Sequence, residues 1–227
     1  PALESGYSCT VVSPSLAKGW WQFVKSTAIR SLATGENLNW TLRINHHVDE
    51  RKDLTLATRS AARYLKWMRL RLGYESEQGS WLTAAAAYNA GLDEVQHRIA
   101  VYATRSYWDM KLPLETEQYV PRWIAFSIID RNREFYGLEV PEIAPLSFDT
   151  LEGVHLSKDL PLSFLATVTE SSVRFISELN PAQDKRQSFF RATKADGGPG
   201  HTIHVPEGTK SAVLKALKAN SYLRDDT

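Results

Sequence analysis

Glu4 is the side chain in this sequence with the clearest chemical potential. A carboxylic acid can give a proton to a departing oxygen near neutral pH when apolar surroundings raise its pKa, which is what splitting a glycosidic bond requires. Leu3, Tyr7, Trp20, Trp21 and Phe23 are of the kind that make such surroundings if the fold gathers them. Taken alone, a glutamate near a chain end reads as an ordinary solvated group. The reading changes because Glu4-Ser5 is followed, in order, by Gly19-Trp20-Trp21-Gln22-Phe23, by Ala87-Tyr88-Asn89-Ala90-Gly91, and by Glu115-Thr116 with Tyr119-Val120-Pro121.

The order and spacing of these motifs resemble the lysozyme-like (SLT) domain of lytic transglycosylases, most closely the membrane-bound D type. The resemblance implies cleavage of the β-1,4 bond between N-acetylmuramic acid and N-acetylglucosamine in peptidoglycan by a single carboxyl group. Glu4 would first protonate the glycosidic oxygen, then take the proton of the muramyl C6 hydroxyl as that oxygen closes onto C1, leaving a 1,6-anhydro end. In the family this glutamate ends a helix. Ser13, Gln22, Val24, Tyr88, Asn89 and Tyr119 stand where family members contact sugar or orient the acid. An amide such as Gln22 or Asn89 both donates and accepts, and the phenol of Tyr88 or Tyr119 can donate to Glu4 or offer a face to a sugar ring. A hydrolytic goose-type muramidase and a non-catalytic peptidoglycan-binding protein are the alternative readings. Departures from the family pattern include Leu16, where Gly is common, and Val24-Lys25, where Met-Pro is usual.

Several of these residues carry a second, structural reading. Asn89 before Ala90-Gly91 also suits a helix C-terminus, and Trp20 and Trp21 suit either sugar stacking or core packing. Glu115 is read as fixing the last helix. The run Asp49-Glu50-Arg51-Lys52-Asp53 reads as a solvated helix start with Asp53 as its N-cap. His46-His47 and His201-x-x-His204 have loose metal-like spacing without a clear third ligand, so no metal site is predicted. No Gly-rich phosphate loop or nucleophile elbow occurs, and no cofactor is predicted.

Composition narrows the remaining classes. With 27 basic and 26 acidic residues interspersed, the net charge of +1 gives no field for nucleic acid. The single cysteine, Cys9, cannot form an internal disulfide. No apolar run is long enough to span a bilayer, so membrane contact is not expected of this stretch; the oligomeric state is not legible. The chain opens on Pro-Ala-Leu-Glu, which reads as an internal piece whose targeting segment lies elsewhere, and the substrate class implies the periplasm or cell envelope. Because only three residues precede Glu4, the wall that buries it is expected to be incomplete.

The elements that must position these groups are mainly helical. Ala57, Ala61, Tyr64, Leu65, Met68 and Leu72 recur at steps of three and four and predict a helix over 54–72. The run Ala84 to Ala87 predicts a central helix, packed closely on all sides, over 81–89. Leu92, Val95, Ile99 and Tyr102 predict a third helix; Tyr119, Trp123, Phe126 and Ile129 or Ile128 predict a fourth. The expected organisation is a helical lysozyme-like domain over 1–139, a proline-bearing linker over 140–146, and a small α+β module over 147–220. That module is predicted as strand 150–156, helices 160–168 and 171–179, strand 202–205 and helix 210–219. Through Leu179-Asn180-Pro181 and Ile203-His204-Val205-Pro206-Glu207-Gly208 it resembles a LysM module, which implies glycan binding. It departs from that pattern at Ser157-Lys158-Asp159 and in a long polar insert from Ala182 to Gly200.

Overall fold

The structure, a computed structural model, describes residues 1–29, 41–73, 80–139, 146–184, 186–193 and 200–224. Residues 140–145 of the predicted linker, and residue 185 and residues 194–199 of the predicted insert, lie outside them. The chain divides into two compact units, Pro1–Thr41 with Thr55–Glu142 and Leu42–Leu54 with Ile143–Thr227. No helix among the described residues is long and apolar enough to cross a membrane.

The first unit is helical: α1 (Ala2–Ser5), α2 (Lys25–Ala28), α3 (Leu54–Arg71), α4 (Ser80–Ala90), α5 (Leu92–Tyr102) and α6 (Leu114–Arg131). The predicted apolar stripe of α3 faces inward, with Ala57, Ala61 and Met68 at 0% exposure. As expected, α4 is the central helix. Ala84, Ala86 and Ala87 are buried, and side chains of one carbon let α5 and α6 both pack against it. Gly91, at φ 92°, turns the chain directly from α4 into α5. Helix α6 starts five residues before Tyr119, where its prediction began, so the Glu115-Thr116 motif forms its first turn.

Pro121 lies inside α6 and has no N–H for the carbonyl of Glu117 one turn earlier. The structure supplies another donor. The Tyr107 hydroxyl, on a buried side chain, donates to the Glu117 carbonyl at 3.2 Å and reaches the Thr116 carbonyl at 3.5 Å. A proline beside the site is thus tolerated because a phenol from a neighbouring 3-10 turn (Tyr107–Asp109) takes over the abandoned acceptor.

The second unit contains β1 (Phe148–Val154), β2 (Leu160–Pro161), α7 (Leu162–Val168), α8 (Val173–Leu179), β3 (Phe189–Phe190), β4 (His201–Pro206) and α9 (Lys210–Ala219). The predicted strand-helix-helix-strand order is present. β1 pairs antiparallel with β4, Phe148 opposite Pro206 and Leu151 opposite Ile203, and the register shifts between Leu151 and Val154. The shift needs glycine on both strands. Gly153 adopts φ 68°, and a Cβ on Gly200 would stand 2.3 Å from the Gly153 carbonyl carbon. One expectation is corrected: the helix predicted from Leu160 starts at Leu162, because Leu160–Pro161 pairs with Phe189–Phe190 of the polar insert, and Phe190 is fully buried in the core.

Leu42–Leu54, read from sequence as part of the helical domain, groups with this second unit. Leu42 and Val48 are buried, and the Asp49 N–H donates to the Ala182 carbonyl at 2.8 Å. The expectation that the charged run 49–53 is solvated is overturned, since Glu50, Arg51 and Asp53 are all under 9% exposed. Burial is compensated by pairing: Glu50 accepts from the Arg43 backbone N–H and Nε, both at 2.6 Å, and Asp49 pairs with Arg51 at 2.8 Å. Asp53 accepts from His204 Nε2 at 2.7 Å, while His204 Nδ1 meets Thr150 Oγ1 at 3.0 Å. His201 instead sends Nε2 to the Arg191 carbonyl at 2.7 Å; burial, with Arg43 nearby, pushes its pKa down to about 4. The two histidines therefore serve separate packing roles. Asn180 joins the two motifs of the LysM resemblance, its amide exchanging hydrogen bonds of 2.7 and 2.8 Å with the backbone of His204.

Tyr107→Phe should leave the Glu117 carbonyl without its side-chain donor and destabilise the protein by about 1–3 kcal/mol, readable as a lower urea midpoint at unchanged slope. A midpoint equal to that of the wild type would mean that water satisfies this carbonyl instead.

Candidate active site

Glu4 lies in the last turn of α1, which Gly6 ends in the left-handed conformation, φ 57°. The helix is fixed by the residue after the acid. Ser5 is buried, and its hydroxyl donates to the Trp20 carbonyl at 2.9 Å, tying α1 to the loop that carries the Gly-Trp-Trp-Gln-Phe motif. That loop is secured from α4 by the Tyr88 hydroxyl, which donates to the Trp21 carbonyl at 2.7 Å. Of the two phenols considered as partners of Glu4, Tyr119 takes the role: its hydroxyl donates to Glu4 Oε1 at 2.5 Å, bridging α6 to α1.

Burial is the largest influence on Glu4 and raises its pKa above the usual carboxylate range. The Tyr119 hydrogen bond and the chain's amino group oppose that shift; the Glu115 carboxylate adds to it. Tyr88 and Tyr119 are themselves pushed upward, by burial first and then by the neighbouring Glu4, so both phenols remain protonated donors. The apolar lining around Glu4 comes mostly from residues that follow it in the chain.

Two cavities meet at the Glu4 side chain. One, about 260 Å³, is apolar and lined by Leu3, Tyr7, Trp21, Leu65, Trp81, Trp123 and Phe126 among others. Of the apolar residues proposed from sequence around Glu4, Leu3, Tyr7 and Trp21 line it, whereas Trp20 and Phe23 do not. The other cavity, about 380 Å³, is polar, and Ser13, Gln22, Val24, Tyr88, Asn89 and Tyr119 all line it together with Glu4. The six companions of Glu4 named from sequence thus line one space with it, and Glu4 also lines the apolar cavity.

Several open readings are settled by the contacts. Asn89 lies within α4 and faces α6: its Oδ1 accepts from Thr116 Oγ1 at 2.7 Å and its Nδ2 donates to Glu115 Oε1 at 3.2 Å. It therefore joins two helices rather than closing one, and Glu115 is held at the start of α6 as expected. Gln22 has φ 47° and uses Nε2 on the carbonyls of Val11 and Gly19, at 3.1 and 2.9 Å, while lining the polar cavity. Trp21 donates from Nε1 to Thr58 Oγ1 at 2.9 Å and stands edge-on to Tyr88, which in turn packs with Phe23 and Tyr64. Neither Trp20 nor Trp21 lines the polar cavity. Leu16, at the position where the family commonly has Gly, adopts φ 62°, so the loop tolerates left-handed backbone at a branched residue.

Sequence reasoning missed Ser15 and Arg122, which also line the polar cavity. A helical signal for Arg122 was present. Glu115, Tyr119 and Arg122 are spaced i, i+4, i+7, so an α6 that starts at Leu114 presents all three on one face.

Residues 1–111 match the family described as the transglycosylase SLT domain. Over 79% of its length the chain is 30% identical to the membrane-bound lytic murein transglycosylase D of Escherichia coli strain K12, and to the protein of the same name from E. coli O6:H1 strain CFT073 at the same identity and coverage. The chain spans 37% of the length of these relatives. With Glu4, Gln22 and Tyr88-Asn89 inside the matched region and gathered at one cavity, residues 1–111 belong to the transglycosylase SLT domain family.

Proposed function

We propose that this chain is a peptidoglycan lytic transglycosylase that cleaves the β-1,4 bond between N-acetylmuramic acid and N-acetylglucosamine. The observation that carries this reading is the convergence of Glu4 and its predicted companions on one polar cavity, with an apolar wall behind the acid. Glu4 begins protonated and donates to the glycosidic oxygen as the C1–O bond breaks. The resulting carboxylate then accepts the proton of the C6 hydroxyl while that oxygen bonds to C1, which restores the acid and consumes no water. Tyr119 suits both halves, since a phenol that donates to Glu4 lowers the cost of the carboxylate formed between them. Gln22 Oε1 and the hydroxyl of Ser13 offer polar partners to the sugar in the polar cavity.

The second unit, with Asn180 joining its two motifs, supports a LysM-like role in binding glycan strands. The substrate class and the relatives' names support action in the cell envelope, with the periplasm as the compartment. The reaction uses no cofactor.

The deciding measurement is mass spectrometry of the fragments released from purified peptidoglycan. A transglycosylase gives muropeptides lighter by one water than hydrolytic fragments, ending in 1,6-anhydro-N-acetylmuramic acid, and Glu4→Gln lowers their release by about 10³-fold. Reducing ends would instead make the protein a muramidase, and glycan binding without turnover a binding protein.

The pH profile tests the role of Tyr119. Activity needs protonated Glu4, so it should fall as pH rises through a pKa above the usual carboxylate range. Tyr119→Phe removes a donor that favours the carboxylate, so the falling limb should move to higher pH while kcat drops roughly tenfold. A limb that stays in place or moves down would show that Tyr119 does not act through Glu4.

A further inference from the structure

Among the described residues that line the polar cavity, one is basic, Arg122, beside two acidic ones, Glu4 and Glu115. Arg122 shares a face of α6 with Tyr119 and Glu115, so it stands on the same wall that presents the phenol to the acid. Among the described residues its guanidinium makes a single hydrogen bond, from Nη2 to Gln118 Oε1 at 3.1 Å, and no ion pair with Glu4 or Glu115. By contrast Arg98, on α5, is closed onto Glu94 at 2.8 Å. Most of the planar fork of Arg122, a residue that lines the cavity, is therefore unengaged among the described residues. A guanidinium in this state matches a carboxylate through two parallel N–H···O bonds.

The substrate read for this cavity carries such a group on each muramyl residue. The 3-O-lactyl arm ends either in its own carboxylate, where the strand is bare, or in a stem peptide with carboxylates of its own. An anionic arm entering beside the Glu115 carboxylate meets a like charge, and Arg122 is the lining group that offsets it. We propose that Arg122 is a specificity-determining residue whose guanidinium receives a carboxylate on the lactyl or peptide arm of muramic acid. The proposal rests on the transglycosylase reading above and adds to it a preference among glycans. An arm held at Arg122, three residues along the helix from Tyr119, would fix the rotation of the muramyl ring relative to Glu4.

The test compares the protein, Arg122→Gln and Arg122→Lys on three glycans: strands with intact stems, strands stripped by an amidase to free lactyl carboxylates, and the stripped strands with those carboxylates converted to methylamides. The wild type should favour carboxylate-bearing strands over the methylamide by about tenfold in kcat/KM, mostly through KM, and Arg122→Gln should bring that ratio to about one. Arg122→Lys should restore part of the preference, since it keeps the charge and loses the fork. Loss confined to stem-bearing strands assigns the peptide as the source of the carboxylate; loss confined to stripped strands assigns the lactyl group. An unchanged ratio in Arg122→Gln, or equal loss on all three glycans, overturns the proposal. Dissociation constants for the same glycans, measured by calorimetry in a Glu4→Gln background, separate the two readings: absent turnover by the protein with Glu4 intact defeats the catalytic one, whereas binding that ignores both the carboxylate and Arg122 defeats this one.

Discussion

A carboxyl group held against an aromatic wall is the constraint around which the helical unit is arranged. Water on all sides would leave Glu4 an ordinary anion at neutral pH. Here Trp21, Trp81, Trp123 and Phe126 line the space behind it, and the charged form is disfavoured. A group in that state needs at least one good donor, and Tyr119 supplies it at 2.5 Å. The geometry demands that α1, α4 and α6 converge within a side chain's length of each other. The alanines of α4 make that approach possible, because a larger residue at Ala84, Ala86 or Ala87 would need space that the packed neighbours already fill.

The position of α6 is held by contacts that have no chemical role of their own. Asn89 and Thr116 lock its first turn to α4, and Tyr107 satisfies the carbonyl released by Pro121. Together they orient the face on which Glu115, Tyr119 and Arg122 follow one another. This division of labour explains why some polar residues of the motifs turn away from the cavity. Ser5, Thr116 and the amide hydrogens of Gln22 are used to hold backbone and side chains in place, while Glu4 and Tyr119 meet at the cavity. In the second unit the same economy recurs at Asn180 and His204, where buried polar side chains join a helix end, a strand and the segment that carries Asp53.

Much of the secondary structure was legible because it rests on local periodicity. Helices α3, α4 and α5 lie within two residues of their predicted bounds, and the strand-helix-helix-strand order of the second unit is as expected. The failures share a cause. Leu160-Pro161 and Phe189-Phe190 are too short to show a period, and they become strands only by pairing with each other. The charged run 49–53 has the composition of a surface, and only the partners Arg43 and His204 make its burial tolerable. Arg122 was overlooked because the predicted start of α6 omitted the turn that puts it in phase with Glu115.

The sequence by itself determined the elements and the chemical inventory: which segments are helical, and which carboxyl, amides and phenols stand in the motifs. These follow from patterns a few residues long and from motifs whose order needs no coordinates. Tertiary structure alone decided which phenol reaches Glu4, that the acid lines both an apolar and a polar cavity, and that Leu42–Leu54 belongs to the second unit. Each depends on contacts between residues far apart in the chain. Burial and hydrogen-bond geometry act across space, and no local pattern in the sequence encodes a distance of 2.5 Å between residues 4 and 119.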